Sequence, residues 1–237
     1  MGTKLIMALD THSFIEAKHI IDELSPLIDI FKVGSILYTA EGVKTIDYIN
    51  SLGKSVFLDL KFFDIPNTVK SVSFVTGRMK VKMFTFHLLG GKEMIRALIS
   101  GINECMARCP VKEAPIPLGV TILTSINEAI MRHDMKINLK LNDMIKHLAR
   151  MGYNEGIRGF VCSSMEVEIL RKELGSEPIL VTPGIRLKED VTGDHKRVMT
   201  PSEAKKCGSN FIVMGRSISD KKDMVGTVKN VLSELSD

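Results

Sequence analysis

The sequence has no tryptophan and only three tyrosines and ten phenylalanines among 237 residues. So few rings leave little for bases to stack on, and the 32 Lys and Arg residues are scattered, so nucleic-acid binding is not expected. Long apolar runs are missing too: none approaches the roughly 18 residues of a membrane-crossing helix. The N-terminal "LIMAL" (5–9) is too short for a signal-peptide core and ends against Asp10, so no membrane association is expected. Ile6 stands where a myristoylation signal needs Ser or Thr. The four cysteines, Cys105, Cys109, Cys162 and Cys207, contain no CxxC pair. Cys105 and Cys109, four residues apart, share a helix face and read as packing residues. None of the six histidines pairs with an acid at metal-ligand spacing, so a metal is not expected. These absences describe a cytoplasmic protein with reduced thiols. With no linker or low-complexity tract, residues 1–237 read as one domain.

What is present is a repeating alternation. Eight short apolar runs recur: "KLIMALD" (4–10), "IFKVG" (30–34), "SVFLDLK" (55–61), "MFTFHL" (83–88), "IPLGVTIL" (116–123), "GFVCSS" (159–164), "PILVTPG" (178–184) and "FIVMGRSI" (211–218). Stretches of helical length lie between them. "SFIEAKHIIDEL" places Phe14, Ala17, Ile20, Ile21 and Leu24 on one helical face, and Ser13 with Glu16 makes a capping-box pattern. Strands alternating with helices imply parallel pairing through crossovers. Eight of them at this length suit an α/β fold closed as a single (β/α)8 TIM barrel. The first strand-to-helix turn, "ALDTHSF", lacks the glycine fingerprint of a doubly wound dinucleotide fold.

In such a barrel the chemistry sits at the carboxyl ends of the strands. Two-residue alternation puts Phe57, Asp59 and Lys61 on one face of the third run, and sets Ala8 with Asp10 on one face of the first. Lys32 opposes the apolar Phe31 and Val33 in the second. Three neighbouring strands therefore aim Asp10, Lys32, Asp59 and Lys61 inward near the top. An ion-pair cluster that merely closed the barrel would stabilise little, because desolvation offsets most of the attraction. A site is the better reading. Asp64 falls beyond the strand, where with Pro66 it fits a helix start.

A second constellation is "TPGIR" after the seventh run and "GRSI" after the eighth. Gly184 and Gly215 would let backbone N–H groups approach phosphate oxygens, and Arg186 and Arg216 would add forked donors. The net charge of +4 suits such an anionic small molecule. His87, at the inward end of the fourth run, reads as a core histidine with its hydrogen bonds satisfied. "LKEDVTGDHK" (187–196) reads as a mobile loop.

Taken together, "DLKFFDIPNTV" (59–69), "ALD", "FKVG", "VTPGIR", "GDHKRVMTP" and "GRSI" resemble the orotidine 5'-phosphate decarboxylase family, in its order and over nearly the whole chain. The resemblance implies conversion of orotidine 5'-monophosphate to uridine 5'-monophosphate and CO2, without a cofactor, in a homodimer. It implies Lys61 as proton donor, with Asp59, Lys32 and Asp64 completing the charge array. Asp64, Ile65 and Thr68 would enter the partner subunit's site. Asp10 would hold the ribose and Thr124 would lie near the pyrimidine. Arg186, His195, Gly215 and Arg216 would surround the phosphate. The family usually carries Gln where this chain has His195, which predicts a phosphate affinity more sensitive to pH.

The chemistry explains the spacing. Loss of CO2 from C6 leaves an electron pair that the ring cannot delocalise well, so a positive charge must already be in place. Carboxylates on both sides of Lys61 would keep its ammonium charged against the effect of burial. The rival reading is a metal-dependent phosphosugar enzyme on the same barrel, like hexulose-phosphate synthase, which shares D-x-K-x-x-D but departs after the last Asp. A ribulose-phosphate epimerase would need metal-binding histidines that have no counterparts here. A non-catalytic binder of phosphorylated ligands would have little use for Lys61.

Overall fold

The apolar runs pair side by side as strands β1 (Lys4–Leu9), β2 (Ile30–Gly34), β3 (Ser55–Phe62), β4 (Met83–His87), β5 (Ile116–Val120), β6 (Gly159–Val161), β7 (Ile179–Pro183) and β8 (Phe211–Met214). The coordinates, a computed structural model, describe residues 2–190 and 199–236. All neighbours are parallel, and β8 pairs with β1, so the sheet closes into an eight-stranded barrel with helices outside. Closure leaves no strand edge unpaired.

Alternation along each strand divides the apolar residues between two cores. Leu5, Met7 and Leu9 of β1 point outward to pack on the helices, whereas Ile6 and Ala8 point into the barrel. The inner core is small: Ile6, Ala8, Ile30, Phe57, Met83, Leu118, Val181 and Val213 fill the lumen. The helix Phe14–Leu24 buries Ala17, Ile20, Ile21 and Leu24, the face its sequence periodicity predicts. Ser13 caps it by accepting from Glu16 N at 3.3 Å. Glu16 is exposed and does not return the second bond of a capping box. Among the described residues no helix is long and apolar enough to cross a membrane.

Seven of the eight strand interfaces run in even register; the exception is β3 with β4. Leu58 pairs with Phe84 and Phe62 with Phe86, so four steps along β3 cover two along β4. The surplus forms a bulge over the top of β3. Because the side-chain period of a strand is two, the bulge leaves inside and outside unchanged. Leu60 and Phe62 still pack with the outer core, while Asp59 and Lys61 stay with the lumen.

Candidate active site

The charged residues at the strand ends form one connected array above the inner core. Ala8 of β1 stands opposite Lys32 of β2, and Gly34 opposite Asp59 of β3. Gly34 contributes no side chain, and the stem of Lys32 climbs into the space it leaves. A Cβ there would lie 3.0 Å from Lys32 Nζ and 3.4 Å from Asp10 Oδ1. Lys32 Nζ donates to Asp10 Oδ1 at 2.9 Å and lies 3.8 Å from Asp59 Oδ2. Lys61 Nζ donates to Asp59 Oδ1 at 2.8 Å. The order is acid, base, acid, base.

Exposure grades this array. The side chains of Lys32 and Asp59 are 10% and 15% exposed, whereas Lys61 is 36% exposed and Asp10 46%. The inner pair is thus withdrawn from water and the outer groups reach the opening. Lys61 also has a φ of +50°. Few non-glycine residues adopt that left-handed geometry, which costs on the order of 1–3 kcal/mol and persists only where the surroundings impose it. Here the bulge imposes it, with Lys61 N donating to Thr85 Oγ1 at 2.8 Å.

His87 closes β4 beside this group, its ring centroid 5.6 Å from that of Phe63. The expectation of a satisfied core histidine is not met, because its buried Nδ1 has no partner among the described residues. Burial, aided by the Lys61 charge, pushes the imidazole below its usual range, against a smaller opposing effect of Asp59. A neutral ring carries one N–H where the imidazolium carries two, so it leaves fewer donors to be satisfied here. Cys162 lines the same mouth, and burial pushes its thiol up, so it stays protonated.

Several adjoining hollows open at this end, and two of them border Lys32 and Asp59. One, of about 210 Å³, has Lys32, Asp59 and Lys61 on one side and Val120, Ile122 and Thr124 on the other. The second, of about 240 Å³, is lined by Asp10, Arg186, Gly215 and Arg216. Lys32, Asp59, Pro183 and Val213 border both. Gly184, at φ +79°, takes the chain round the end of β7 in a conformation costly for other residues. Arg186 Nη1 donates to Ser217 Oγ at 3.3 Å, which holds the guanidinium across the β7 and β8 ends. One end of the combined hollow is suited to an anion and the other to a flat, weakly polar ring, with the ammonium of Lys61 at the ring end. A hollow of about 400 Å³ among Lys54, Lys80, Lys82 and Lys112 lies at the opposite, amino end of the strands, away from all of these groups.

Asp64, Ile65 and Thr68 are not in either hollow of their own chain. Asp64 is exposed, and its Oδ1 accepts from Ile65 N at 2.7 Å, at the start of the helix Pro66–Arg78. It has no ion-pair partner among the described residues. Phe63 and Ile65 beside it are 60% and 66% exposed, unusual for such large apolar groups. His195 and most of the segment read as a loop lie outside the described residues. Among those described, no group of three or more His, Cys, Asp or Glu side chains is placed to hold a metal ion.

The sequence reading passed over Thr85 and Gly34. Thr85 is fully buried on the inward face of β4, between Met83 and His87, and its hydroxyl also donates to Asp59 Oδ1 at 2.9 Å. Alternation along "MFTFH" already carried that signal, a hydroxyl among inward residues two before the charged rim.

Comparison with known proteins agrees over nearly the full length. The model of the orotidine 5'-phosphate decarboxylase / HUMPS family matches residues 3–231. A protein of Geotalea daltonii named orotidine 5'-phosphate decarboxylase is 39% identical over 232 residues, covering 98% of this chain and 95% of that one. One of the same name from Carboxydothermus hydrogenoformans is 42% identical over 218 residues, covering 92% and 90%. The crystal structure of orotidine 5'-phosphate decarboxylase from Lactobacillus acidophilus superposes with a TM-score of 0.87 at 31% identity, covering 99% and 100% of the two chains.

Proposed function

The chain belongs to the orotidine 5'-phosphate decarboxylase / HUMPS family, and from that premise we infer how its rim of charges works on orotidine 5'-monophosphate. The reaction releases CO2 and leaves uridine 5'-monophosphate. The phosphate goes to the end bordered by Arg186, Gly215 and Arg216, and the ribose to Asp10. The pyrimidine enters the hollow between Lys61 and Thr124. As the bond from C6 to its carboxylate breaks, the electron pair stays on C6 beside the Lys61 ammonium, which then gives C6 a proton. Asp59 and Lys32 hold that ammonium in place. Fixed charges of this kind incur no reorganisation as the transition state forms.

The observation that carries the reading is the 2.8 Å contact between Lys61 Nζ and Asp59 Oδ1 at the mouth of the barrel. It keeps a proton-bearing group facing the cavity instead of spending it on a remote contact. Asp64, Ile65 and Thr68 serve a partner's site in a homodimer, a role supported by their absence from their own chain's hollows and by the exposed Phe63 and Ile65. The active unit is the whole chain, working in the cytoplasm without a cofactor. Decarboxylation changes the ultraviolet absorbance of the pyrimidine, which follows the reaction directly, and the rate should be the same with and without EDTA. No change in absorbance would overturn the reading. A rate abolished by EDTA would point instead to the metal-dependent, hexulose-phosphate synthase-like alternative.

A further inference from the structure

We propose that Thr85 is the positioning residue of Lys61: its one hydroxyl stands in for the rung that the β3–β4 ladder loses at the bulge, and aims the ammonium at the cavity. The inference rests on the decarboxylase reading above and adds to it a residue that never meets the substrate.

Two contacts meet at this hydroxyl, and a third closes the circuit back to Lys61. Lys61 N donates to Thr85 Oγ1 at 2.8 Å, Thr85 Oγ1 donates to Asp59 Oδ1 at 2.9 Å, and that same Oδ1 receives Lys61 Nζ at 2.8 Å. The lysine is therefore held at both ends, its amide by the Thr85 hydroxyl and its ammonium by the carboxylate that this hydroxyl orients. A hydroxyl accepts and donates at once, which an amide on one side and a carboxylate on the other both require. Thr85 is fully buried, so solvent has no route to replace it. Its β-branch restricts the rotamer and keeps both bonds in register.

Without that oxygen the Lys61 N–H would be orphaned inside the protein, an arrangement native structures avoid. The left-handed backbone at Lys61 would then lose the bond that favours it over an ordinary strand geometry. A shift of about 1 Å at a reacting group costs on the order of 100-fold in rate. Thr85 borders neither hollow of the site. Its loss should appear in the chemical step and leave binding nearly unchanged.

The experiment compares Thr85→Val, which keeps the shape and deletes the oxygen, with Thr85→Ser, which keeps the oxygen. Steady-state kinetics on orotidine 5'-monophosphate should show kcat about 100-fold lower for Thr85→Val with KM within about threefold. Thr85→Ser should return kcat to within about fivefold of the parent. A kcat for Thr85→Val within threefold of the parent, or a loss in Thr85→Ser as large as in Thr85→Val, would overturn the proposal. So would a defect expressed mainly in KM. Should Thr85→Val not accumulate as folded protein, Thr85→Ala against Thr85→Ser makes the same comparison, and equal rates for those two would overturn it. Failure of the unaltered protein to decarboxylate would be seen first and would sink the reading of the site itself.

Discussion

The lower and upper halves of β3 are built by the same alternation and do opposite work. From Ser55 to Leu58 the strand is in even register with β2 and β4, and Val56, Phe57 and Leu58 are all buried. From Asp59 to Phe62 it bulges, carries two charges and bends one residue into left-handed geometry. The lower half stabilises the barrel on both faces, Phe57 filling the lumen and Val56 and Leu58 packing on the helices, whereas the upper half gives up stability to strain and desolvated charge. Four residues apart on one strand, packing and chemistry are cleanly divided. Substitutions in the two halves should therefore fail in different ways.

The sharpest contrast is Lys61→Ala against Phe57→Ala. Loss of the ammonium removes both proton donor and preorganised charge, so kcat should fall by at least about 10⁴-fold while the melting temperature stays within a few degrees. Phe57, 2% exposed in the inner core, should instead cost about 3–5 kcal/mol of stability in a denaturant titration. If Lys61→Ala unfolds the protein as readily as Phe57→Ala, the division is false. Mixing inactive Lys61→Ala with inactive Asp64→Asn extends the contrast across a subunit boundary. Random pairing in a dimer should restore about a quarter of the sites, and no recovery would mean that Asp64 serves its own chain. Arg216→Ala tests the remote end of the hollow: kcat/KM should fall about 100-fold, since phosphate binding also drives the chemical step. An unchanged kcat/KM would remove Arg216 from the site.

The smallest expected effect concerns His87. Its imidazole is held below the usual value of 6.5 when folded, mainly by burial. Between the folded and unfolded values the unfolded chain binds more protons, so this contribution is intact above about pH 6.5 and declines as pH falls below it. Melting temperatures measured from pH 7.5 to 5.5 should drop about 2 °C further for the parent than for His87→Asn. Parallel curves for the two would show that the ring titrates freely.

Much of this was legible in the chain. Eight short apolar runs located the strands, and period-two alternation predicted that Asp10, Lys32, Asp59 and Lys61 share the lumen, because parity along a strand is a local property. The bulge was not legible, since it depends on how two strands slide past each other, and "SVFLDLK" reads as an even strand. Thr85 escaped for a related reason: alternation within β4 turns its hydroxyl inward, but the partners that give it a role lie on β3. Gly34 was visible only as part of a motif. Its role depends on the length of the Lys32 stem, which passes over it to reach Asp10. His87 was placed on the correct face, yet whether a buried nitrogen finds a partner is decided by neighbours remote in sequence.

The surplus between Leu58 and Phe62 has a consequence for anyone lengthening or shortening this rim. Adding or removing one residue would turn the ammonium out among hydrocarbon and swing Phe62 into the opening. A change of two would restore every side chain to its own side. Loop grafts and deletions at this mouth should therefore be tolerated in even steps and rejected in odd ones.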